Sequence, residues 1–252
     1  DSLELIVIAN GATNAFIASL KKAGENINNC RIISTLKADI ATARNLGIKL
    51  SVGKYILLID SDCILTSNYF ELIIDHLKRT AGEVIERGIV NFIPRQSFFS
   101  KLNSKMRNRS YARHKYACYA PNLLISASIF NKVGNFLNSI GYCVDTEWGR
   151  RAELKGYSIG QMPDSILVKH VDDYRPWKTI VTWFKYGIGR AFREKRSYLL
   201  GKYTRVEFLK SLFPISGLVD SDDPLNYTIF IALHYLIRTF GVLYGMLIKR
   251  RN

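Results

Sequence analysis

The fold is decided by residues 53–62, which read Gly-Lys-Tyr-Ile-Leu-Leu-Ile-Asp-Ser-Asp. Five consecutive apolar residues, Tyr55 to Ile59, are typical of a parallel strand in the middle of a sheet, because helices cover both faces of such a strand. The apolar run ends at two carboxylates, Asp60 and Asp62. Ligands bind beyond the carboxyl ends of the strands in open α/β sheets, so this pattern predicts a site at these two residues.

Strands and helices alternate on either side of this stretch. A short apolar run at 3–8, broken by Asn10-Gly11-Ala12, predicts a strand followed by a helix. Asp39 predicts the N-cap of a second helix, which ends at Gly53. The alternation predicts a doubly wound α/β sheet. Further segments are predicted as strands at 32–33, 88–92 and 166–170, as helices at 72–77, 130–133 and 145–154, and as an apolar stretch at 122–125.

Positive charge is concentrated in the later part of the chain. The 252 residues carry a net charge of +15, yet residues 1–86 contain nine Lys/Arg against ten Asp/Glu. Residues 101–115 hold six basic side chains and no acid. This asymmetry indicates an anionic partner, such as nucleic acid, phosphates or an acidic membrane surface. Four widely spaced cysteines fit neither a zinc knuckle nor a disulfide framework, so we expect a reducing compartment.

The chain changes character after residue 174, which predicts a separate helical region over 175–252. A helix beginning near Trp177 has one apolar face and a basic opposite face. Gly187 and Gly189 are expected to weaken this helix.

An apolar helix is predicted over residues 225–248, and Lys249-Arg250-Arg251 follow it. It is about long enough to cross a bilayer. His234 and Arg238 lie in its middle, and each disfavours a lipid-exposed span. Three placements therefore stay open: a transmembrane span, an interfacial or re-entrant helix, and a buried helix of a soluble domain.

The Asp60-x-Asp62 pair has two interpretations. Two carboxylates this close repel each other unless a hard cation or several donors hold them, which suits Mg²⁺ or Mn²⁺ on a diphosphate. Alternatively, the acids serve only the turn and the helix cap after the strand.

Several blocks of sequence carry a resemblance to a known family. Residues 5–14, 43–48 and 53–62 resemble, in order and spacing, the N-terminal half of family 2 glycosyltransferases with the GT-A fold. Residues 144–151 look like the acidic catalytic motif of that family, 120–122 resemble its acceptor loop, and His170 falls where it often has a metal-binding histidine. The resemblance covers residues 3–172, so we predict a GT-A-like mixed sheet over 1–174, and the family's first strand has no counterpart before Leu3.

The resemblance implies an inverting transfer of a sugar from a nucleotide donor to an acceptor hydroxyl. It implies Mn²⁺ or Mg²⁺ as cofactor and a saccharide or lipid-linked acceptor. The basic helical region would then face an anionic membrane, which places the protein on the cytoplasmic face of the cell membrane in cell-surface polysaccharide synthesis. The implied roles are Asp145 as the catalytic base, Asn10, Arg44 and Asp60 in donor binding, Asn122, Glu147 and Trp148 in acceptor binding, and Asp62 and His170 as metal ligands.

Departures from the family pattern leave other functions open. Asn10 stands where the family usually has an acid, and Cys63 follows the metal motif where an acid is frequent. Asp145 also fits a simple N-cap, and His170 a strand-end histidine. A catalytically inactive, membrane-associated scaffold is the alternative function. Nucleic-acid binding is suggested by charge alone and lacks a recognised module, and a nucleotidyltransferase lacks its glycine-rich phosphate loop with a lysine.

Overall fold

The computed structural model describes residues 3–36, 38–114, 117–138, 141–171, 175–199 and 224–248. Lys249, Arg250 and Arg251 lie outside the described residues. The strands within these ranges are β1 Leu5–Asn10, β2 Cys30–Thr35, β3 Tyr55–Ile59, β4 Cys63–Leu65, β5 Ile85–Arg87, β6 Ile89–Ile93, β7 Asn122–Ser126, β8 Gly160–Gln161 and β9 Leu167–Val171. The helices are α1 Asn14–Gly24, α2 Ile40–Leu50, α3 Tyr69–Arg79, α4 Phe98–Arg113, α5 Ala127–Val133, α6 Val144–Leu154, α7 Pro176–Leu199 and α8 Pro224–Leu247.

The strands form three sheets, which together contain parallel and antiparallel pairs. β1 pairs with β2 in parallel, β3 lies beside β7 in the order β3-β7-β5-β8, and β9 lies between β4 and β6. The β3–β7 and β4–β9 pairs are antiparallel, and the β6–β9 pair is parallel. The predicted mixed α/β architecture is therefore confirmed. Over the described ranges, the β1–β2 ladder is not hydrogen-bonded to the sheet that contains β3.

The apolar run before Asp60 is a strand as predicted, but within the described ranges it lies at the edge of its sheet and pairs with β7 alone, antiparallel, because the β1–β2 pair is not hydrogen-bonded to it. The prediction of a central parallel strand is therefore corrected. β3 occupies the apolar run from Tyr55 to Ile59. The Asp39 side chain accepts hydrogen bonds from the backbone N–H groups of Ala41 and Thr42 and so caps α2. This helix ends at Leu50, earlier than the predicted end at Gly53, because the chain turns into extended backbone at Ser51.

The basic stretch at 101–115, for which no element was predicted, contains most of α4. Ser97 caps the helix by accepting from the Ser100 N–H. Its inward side is partly polar, with Asn103 and Ser104 both buried. A helix that buries polar residues lacks a clear apolar stripe, which explains why its sequence pattern does not reveal it.

Two apolar clusters fill the space around the β3–β7 sheet. One surrounds Trp148, whose ring stacks on Phe130 and contacts Phe136. The other contains Tyr69, Phe92 and Val168 and lies under the β4–β9–β6 ladder. These cores fix the strand ends and the start of α6, where the candidate site lies.

Helices α7 and α8 pack against each other through glycines. A Cβ atom added at Gly187 would lie 2.2 Å from the carbonyl oxygen of Arg238, and one added at Gly241 would lie 2.1 Å from that of Phe184. Gly189 approaches the Tyr142 carbonyl in the same way. The expectation that Gly187 and Gly189 merely weaken the helix is thus corrected, because both permit close backbone packing.

The C-terminal helices are joined to the rest of the protein at α4. Leu102 of α4, Trp183 of α7 and Phe230 of α8 belong to one buried cluster. The predicted division of the chain at residue 174 stays a prediction.

Helix α8 presents an apolar stripe to solvent. Of the helices in the described ranges, it alone is long and apolar enough to cross a bilayer, over Leu225–Leu247. One third of the most apolar part of that span is buried inside the protein. Seven exposed apolar residues recur at helical spacing along one side of the helix and form this stripe: Leu225, Ile229, Leu233, Leu236, Phe240, Leu243 and Leu247. Tyr244 and Met246 are exposed beside it.

Candidate active site

The crevice beyond the strand ends is bridged by an ion pair. Arg44 on α2 donates from Nη2 to Oδ1 of Asp60 at 2.7 Å. The side chains are 13% and 28% exposed, so the pair is partly shielded from water and still reachable from the crevice. Two of the predicted donor-binding residues, Arg44 and Asp60, are therefore in direct contact.

Asn10, the third predicted donor-binding residue, lies at the end of β1, and its side chain forms hydrogen bonds with the backbone of Ala38. Its Nδ2 donates to the carbonyl of Ala38 at 3.0 Å, and its Oδ1 accepts from the Ala38 N–H at 2.7 Å. An aspartate could accept the second bond but could not donate the first. The amide at this position therefore holds the loop that leads into α2.

Three side chains with metal-ligating atoms converge where β4 begins. The Nε2 atom of His170 lies 3.2 Å from Oδ1 of Asp62. One ligand atom each from Asp62, Cys63 and His170 falls within 4.8 Å of the others. Asp62 is exposed whereas His170 is buried, so this cluster extends from the protein surface into the interior. The two predicted metal ligands, Asp62 and His170, are brought together.

The electrostatics of this cluster are dominated by negative charge. Burial, together with Asp60 and Asp62, raises the pKa of the Cys63 thiol to about 12. Arg107 on α4 partly opposes this effect on the thiol pKa. The Arg107 guanidinium lies 3.8 Å from the ring centroid of Phe92, which in turn contacts the His170 ring at 5.0 Å.

Asp145 is held at the start of α6. Its Oδ2 accepts from the Ala120 N–H at 3.0 Å, and its Oδ1 accepts from the Thr146 N–H at 2.8 Å. The helix begins after Cys143, which adopts a left-handed conformation with φ 69° and makes no side-chain cap. Asp145 therefore lies inside the first turn, where the positive end of the helix dipole favours a carboxylate, and its interpretation as the N-cap is wrong.

Besides burial, Asp60 at the end of β3 and Asp145 on α6 both raise the pKa of Tyr186 on α7. The pKa of Tyr186 is raised by burial, is lowered in part by Arg107, and is raised further by Cys143, Asp145 and Asp60.

The three predicted acceptor-binding residues lie inside the protein. Asn122 accepts from the Tyr69 hydroxyl and donates to the carbonyls of Ile89 and Ile166. The Trp148 indole N–H donates to the Gly134 carbonyl, and the side chain is completely buried. Asn122 and Trp148 are thus core residues, which corrects their predicted role.

Glu147 is also internal. Only 3% of its side chain is exposed, and its Oε1 lies 2.9 Å from Nε of Arg151 and 3.1 Å from Nε of Arg196. Its predicted role in acceptor binding is corrected to an ion pair that ties α6 to α7.

Sequence reasoning missed three residues near the predicted site: Cys63, Arg107 and Tyr186. Cys63 was noted as a departure from the family pattern, but nothing in its neighbourhood revealed that it faces His170. Arg107 was one of six basic residues in a stretch without a predicted element. Tyr186 carries no local signal, since only the packing of α7 brings its ring against Tyr142.

The fold is that of a GT-A glycosyltransferase. A family model described as Glycosyl transferase family 2 matches residues 1–134, more than half of the chain. The chain belongs to glycosyl transferase family 2.

Individual relatives agree with this assignment. The uncharacterized glycosyltransferase YibD of Escherichia coli (strain K12) is 34% identical over 61 residues, which are 24% of this chain and 18% of YibD. The mannosyltransferase PcManGT of Pyrobaculum calidifontis, solved in complex with GDP-Man and Mn²⁺, is similar in structure with a TM-score of 0.65 at 11% identity. That similarity covers 96% of this chain and 78% of PcManGT, and it shows the shared fold.

Proposed function

We propose that this protein transfers a sugar from a nucleotide donor to an acceptor hydroxyl with inversion at the anomeric carbon, and that Asp145 is the catalytic base. The observation that carries the proposal is the position of Asp145 in the first turn of α6, where the Ala120 and Thr146 N–H groups hold its carboxylate. Family membership supports glycosyl transfer as the reaction class.

Asp145 is suited to remove a proton because hydrogen bonds fix the orientation of its carboxylate and leave both oxygens able to accept another bond. The Ala120 and Thr146 N–H groups occupy one lone pair on each oxygen. A carboxylate can accept about four hydrogen bonds, so both oxygens retain capacity for the acceptor hydroxyl. Arg193 donates to the Thr146 hydroxyl at 3.1 Å and so braces the same turn from α7.

The donor side of the cleft is formed by Arg44, Asp60, Asp62 and His170. The Arg44–Asp60 pair fixes the Asp60 carboxylate, which we propose holds the donor ribose. The oxygen of Asp62 and the imidazole of His170 fit a divalent cation, because their ligand atoms already lie within the span of one coordination sphere. A divalent cation held there would neutralise the charge of the leaving diphosphate.

The acceptor side is rich in arginine. Burial, together with the positive charges of Arg238 and Arg193, lowers the pKa of Arg190 to about 9. Arg193 in turn reaches the first turn of α6 through the Thr146 hydroxyl. Arg193 also contacts Glu194, which is fully buried. This charge supports an acceptor that carries an anionic group, and we propose a lipid-linked saccharide in the synthesis of a cell-surface polysaccharide.

The exposed stripe of α8 supports attachment to a membrane. Its seven apolar residues lie on one side of the helix, and α7 adds exposed Trp177, Lys178 and Lys185. We propose a peripheral position on the cytoplasmic face of the cell membrane, where each basic residue near anionic lipid contributes about 1 kcal/mol. Cosedimentation with vesicles tests this: binding to anionic vesicles that weakens with salt is expected, and no binding contradicts it.

An inactive scaffold is the second candidate function. It is favoured by Asn10, whose amide is engaged by Ala38 where the family usually presents an acid. A scaffold would keep the fold and the membrane surface but would not turn over a nucleotide sugar.

Transfer and donor hydrolysis in the presence of Mn²⁺ separate the two candidates. The donors tested are a panel of nucleotide sugars that includes GDP-mannose, the ligand of PcManGT. Asp145→Asn should lower the rate by about 10²–10⁴-fold, because it removes the base while leaving an oxygen for one backbone N–H. Asp75→Asn, at an exposed site on α3, is the control. Equal rates for wild type and Asp145→Asn would reject the catalytic role.

A further inference from the structure

We propose that the Cys63 thiol is a direct metal ligand and that it makes the Asp62–Cys63–His170 cluster select thiophilic divalent ions, Zn²⁺ above all, over Mg²⁺ and Mn²⁺. The inference deepens the proposed function, since it rests on the metal site assigned there to Asp62 and His170. It adds a sulfur ligand at the position where the sequence departs from the family pattern.

The strand register brings the thiol to the histidine. Cys63 in β4 and His170 in β9 are directly opposite each other in an antiparallel pair. Directly opposed residues point to the same face of a sheet, with Cβ atoms about 4.5–5.5 Å apart. The backbone therefore fixes sulfur and imidazole on one side of the ladder, whatever the position of neighbouring loops.

Asp62 completes the cluster from the preceding residue. Its backbone carbonyl accepts from the Val171 N–H at 2.8 Å, which anchors it beside β9. The three ligand atoms lie within 4.8 Å of one another. Zinc bonds of 2.0–2.3 Å in a tetrahedral site place ligand atoms roughly 3.3–3.8 Å apart, so a small side-chain adjustment brings all three onto one ion.

The donor set decides which metal is favoured. Oxygen, sulfur and nitrogen from Asp, Cys and His are the usual protein ligands of Zn²⁺, whereas Mg²⁺ is held by oxygen ligands. Thiolates select soft and borderline ions. On binding, Cys63 forms a sulfur–zinc bond and releases its thiol proton to the buffer, so one proton leaves for each zinc ion that binds.

Cobalt spectroscopy tests the thiol contact directly. Co²⁺ replaces Zn²⁺ in such sites, and a thiolate ligand gives a sulfur-to-cobalt charge-transfer band in the near ultraviolet. We expect this band in wild type and in Cys30→Ser, a matched control at another partly buried free cysteine. Cys63→Ser should lose the band. Cobalt binding to wild type without the band, or an unchanged band in Cys63→Ser, would overturn the proposal.

Metal affinity gives a second readout. Cys63→Ser should weaken Zn²⁺ binding by at least ~10–100-fold, the loss seen for weaker perturbations of metal sites, and leave Mg²⁺ binding unchanged. An unchanged Zn²⁺ affinity in Cys63→Ser, or an equal loss of affinity for Zn²⁺ and Mg²⁺, would contradict the proposal that Cys63 is a metal ligand. Circular dichroism of the variant shows whether it is folded.

A third measurement needs no variant. In wild type, Zn²⁺ should slow alkylation of Cys63 by iodoacetamide, mapped by mass spectrometry, and leave alkylation of Cys30 unchanged. Equal alkylation of Cys63 with and without Zn²⁺ would overturn the inference. These results are independent of the proposed function, which fails instead if Asp145→Asn retains the wild-type rate of transfer.

Discussion

Nη2 of Arg44 on α2 lies 2.7 Å from Oδ1 of Asp60 at the end of β3. This ion pair links α2, which packs on the β1–β2 sheet, to the sheet that contains β3. In the described ranges the two sheets share no backbone hydrogen bond. The pair does two things at once. It orients the carboxylate that we assign to the donor ribose, and it ties the helix packed on β1 to the central sheet. Its removal should therefore affect both stability and donor binding.

Arg44→Met should lower the free energy of unfolding by about 1–3 kcal/mol, because it leaves a partly buried carboxylate without its charged donor. The measurement is urea denaturation. Arg31→Met, which removes an exposed pair with Glu4, is the matched control and should cost no more than about 1 kcal/mol. Similar costs for the two variants would show that the Arg44 pair has no special structural role.

Glu147→Gln should destabilise the protein by about 1–3 kcal/mol, because it removes the buried charged acceptor that Arg151 and the more exposed Arg196 share. Thermal and urea unfolding measure this cost. Glu153→Gln, at an exposed position on the same helix, should change stability by less than about 0.5 kcal/mol. A change in acceptor affinity with unaltered stability would restore the original prediction that Glu147 binds the acceptor.

Gly187→Ala should destabilise the packing of α7 on α8. An alanine in a helix interior normally stabilises by about 1 kcal/mol relative to glycine. Here the new Cβ would lie 2.2 Å from a backbone carbonyl oxygen, so the helices must separate. Gly47→Ala in α2 is the control, because its Cβ would meet Ile8 at an ordinary 3.4 Å. Urea unfolding should show a loss for Gly187→Ala and none for Gly47→Ala.

His234 predicts a dependence of stability on pH. Burial against Trp183 and the nearby Arg238 lower its pKa from 6.5 to about 3. The folded protein therefore binds fewer protons than the unfolded chain between these values, and the free energy of unfolding falls as the pH drops below 6.5. The contribution of one such group is at most about 1.4 kcal/mol per pH unit.

His234→Phe should reduce this acid sensitivity between pH 6.5 and pH 5, as measured by urea unfolding across that range. His114→Gln, at an exposed histidine, should leave the slope unchanged. Equal slopes for wild type and His234→Phe would mean that the His234 ring is not held in its neutral form by the fold.

The parts of the site that lie within one local segment could be predicted from the sequence. The apolar run before Asp60 and Asp62 and the cap at Asp39 depend on neighbours a few residues away, and both are present as predicted. Asp145 could be named only through the resemblance, since its own segment fits an ordinary helix start equally well. The prediction that Glu147 and Trp148 bind the acceptor was wrong because both side chains of α6 point into the protein. A short motif does not reveal which side of a helix meets the core.

By itself the sequence determined the α/β class, the strand at Tyr55–Ile59 with the two carboxylates that follow it, and the region that carries the excess positive charge. These follow from chain-local periodicity, capping and composition. Tertiary structure alone decided that Cys63 lies opposite His170, that the Tyr186 ring packs against Tyr142 and that Gly187 allows two helices to touch. Each of these depends on the register or packing of segments far apart along the chain. Such long-range pairings cannot be predicted from the local pattern of residues.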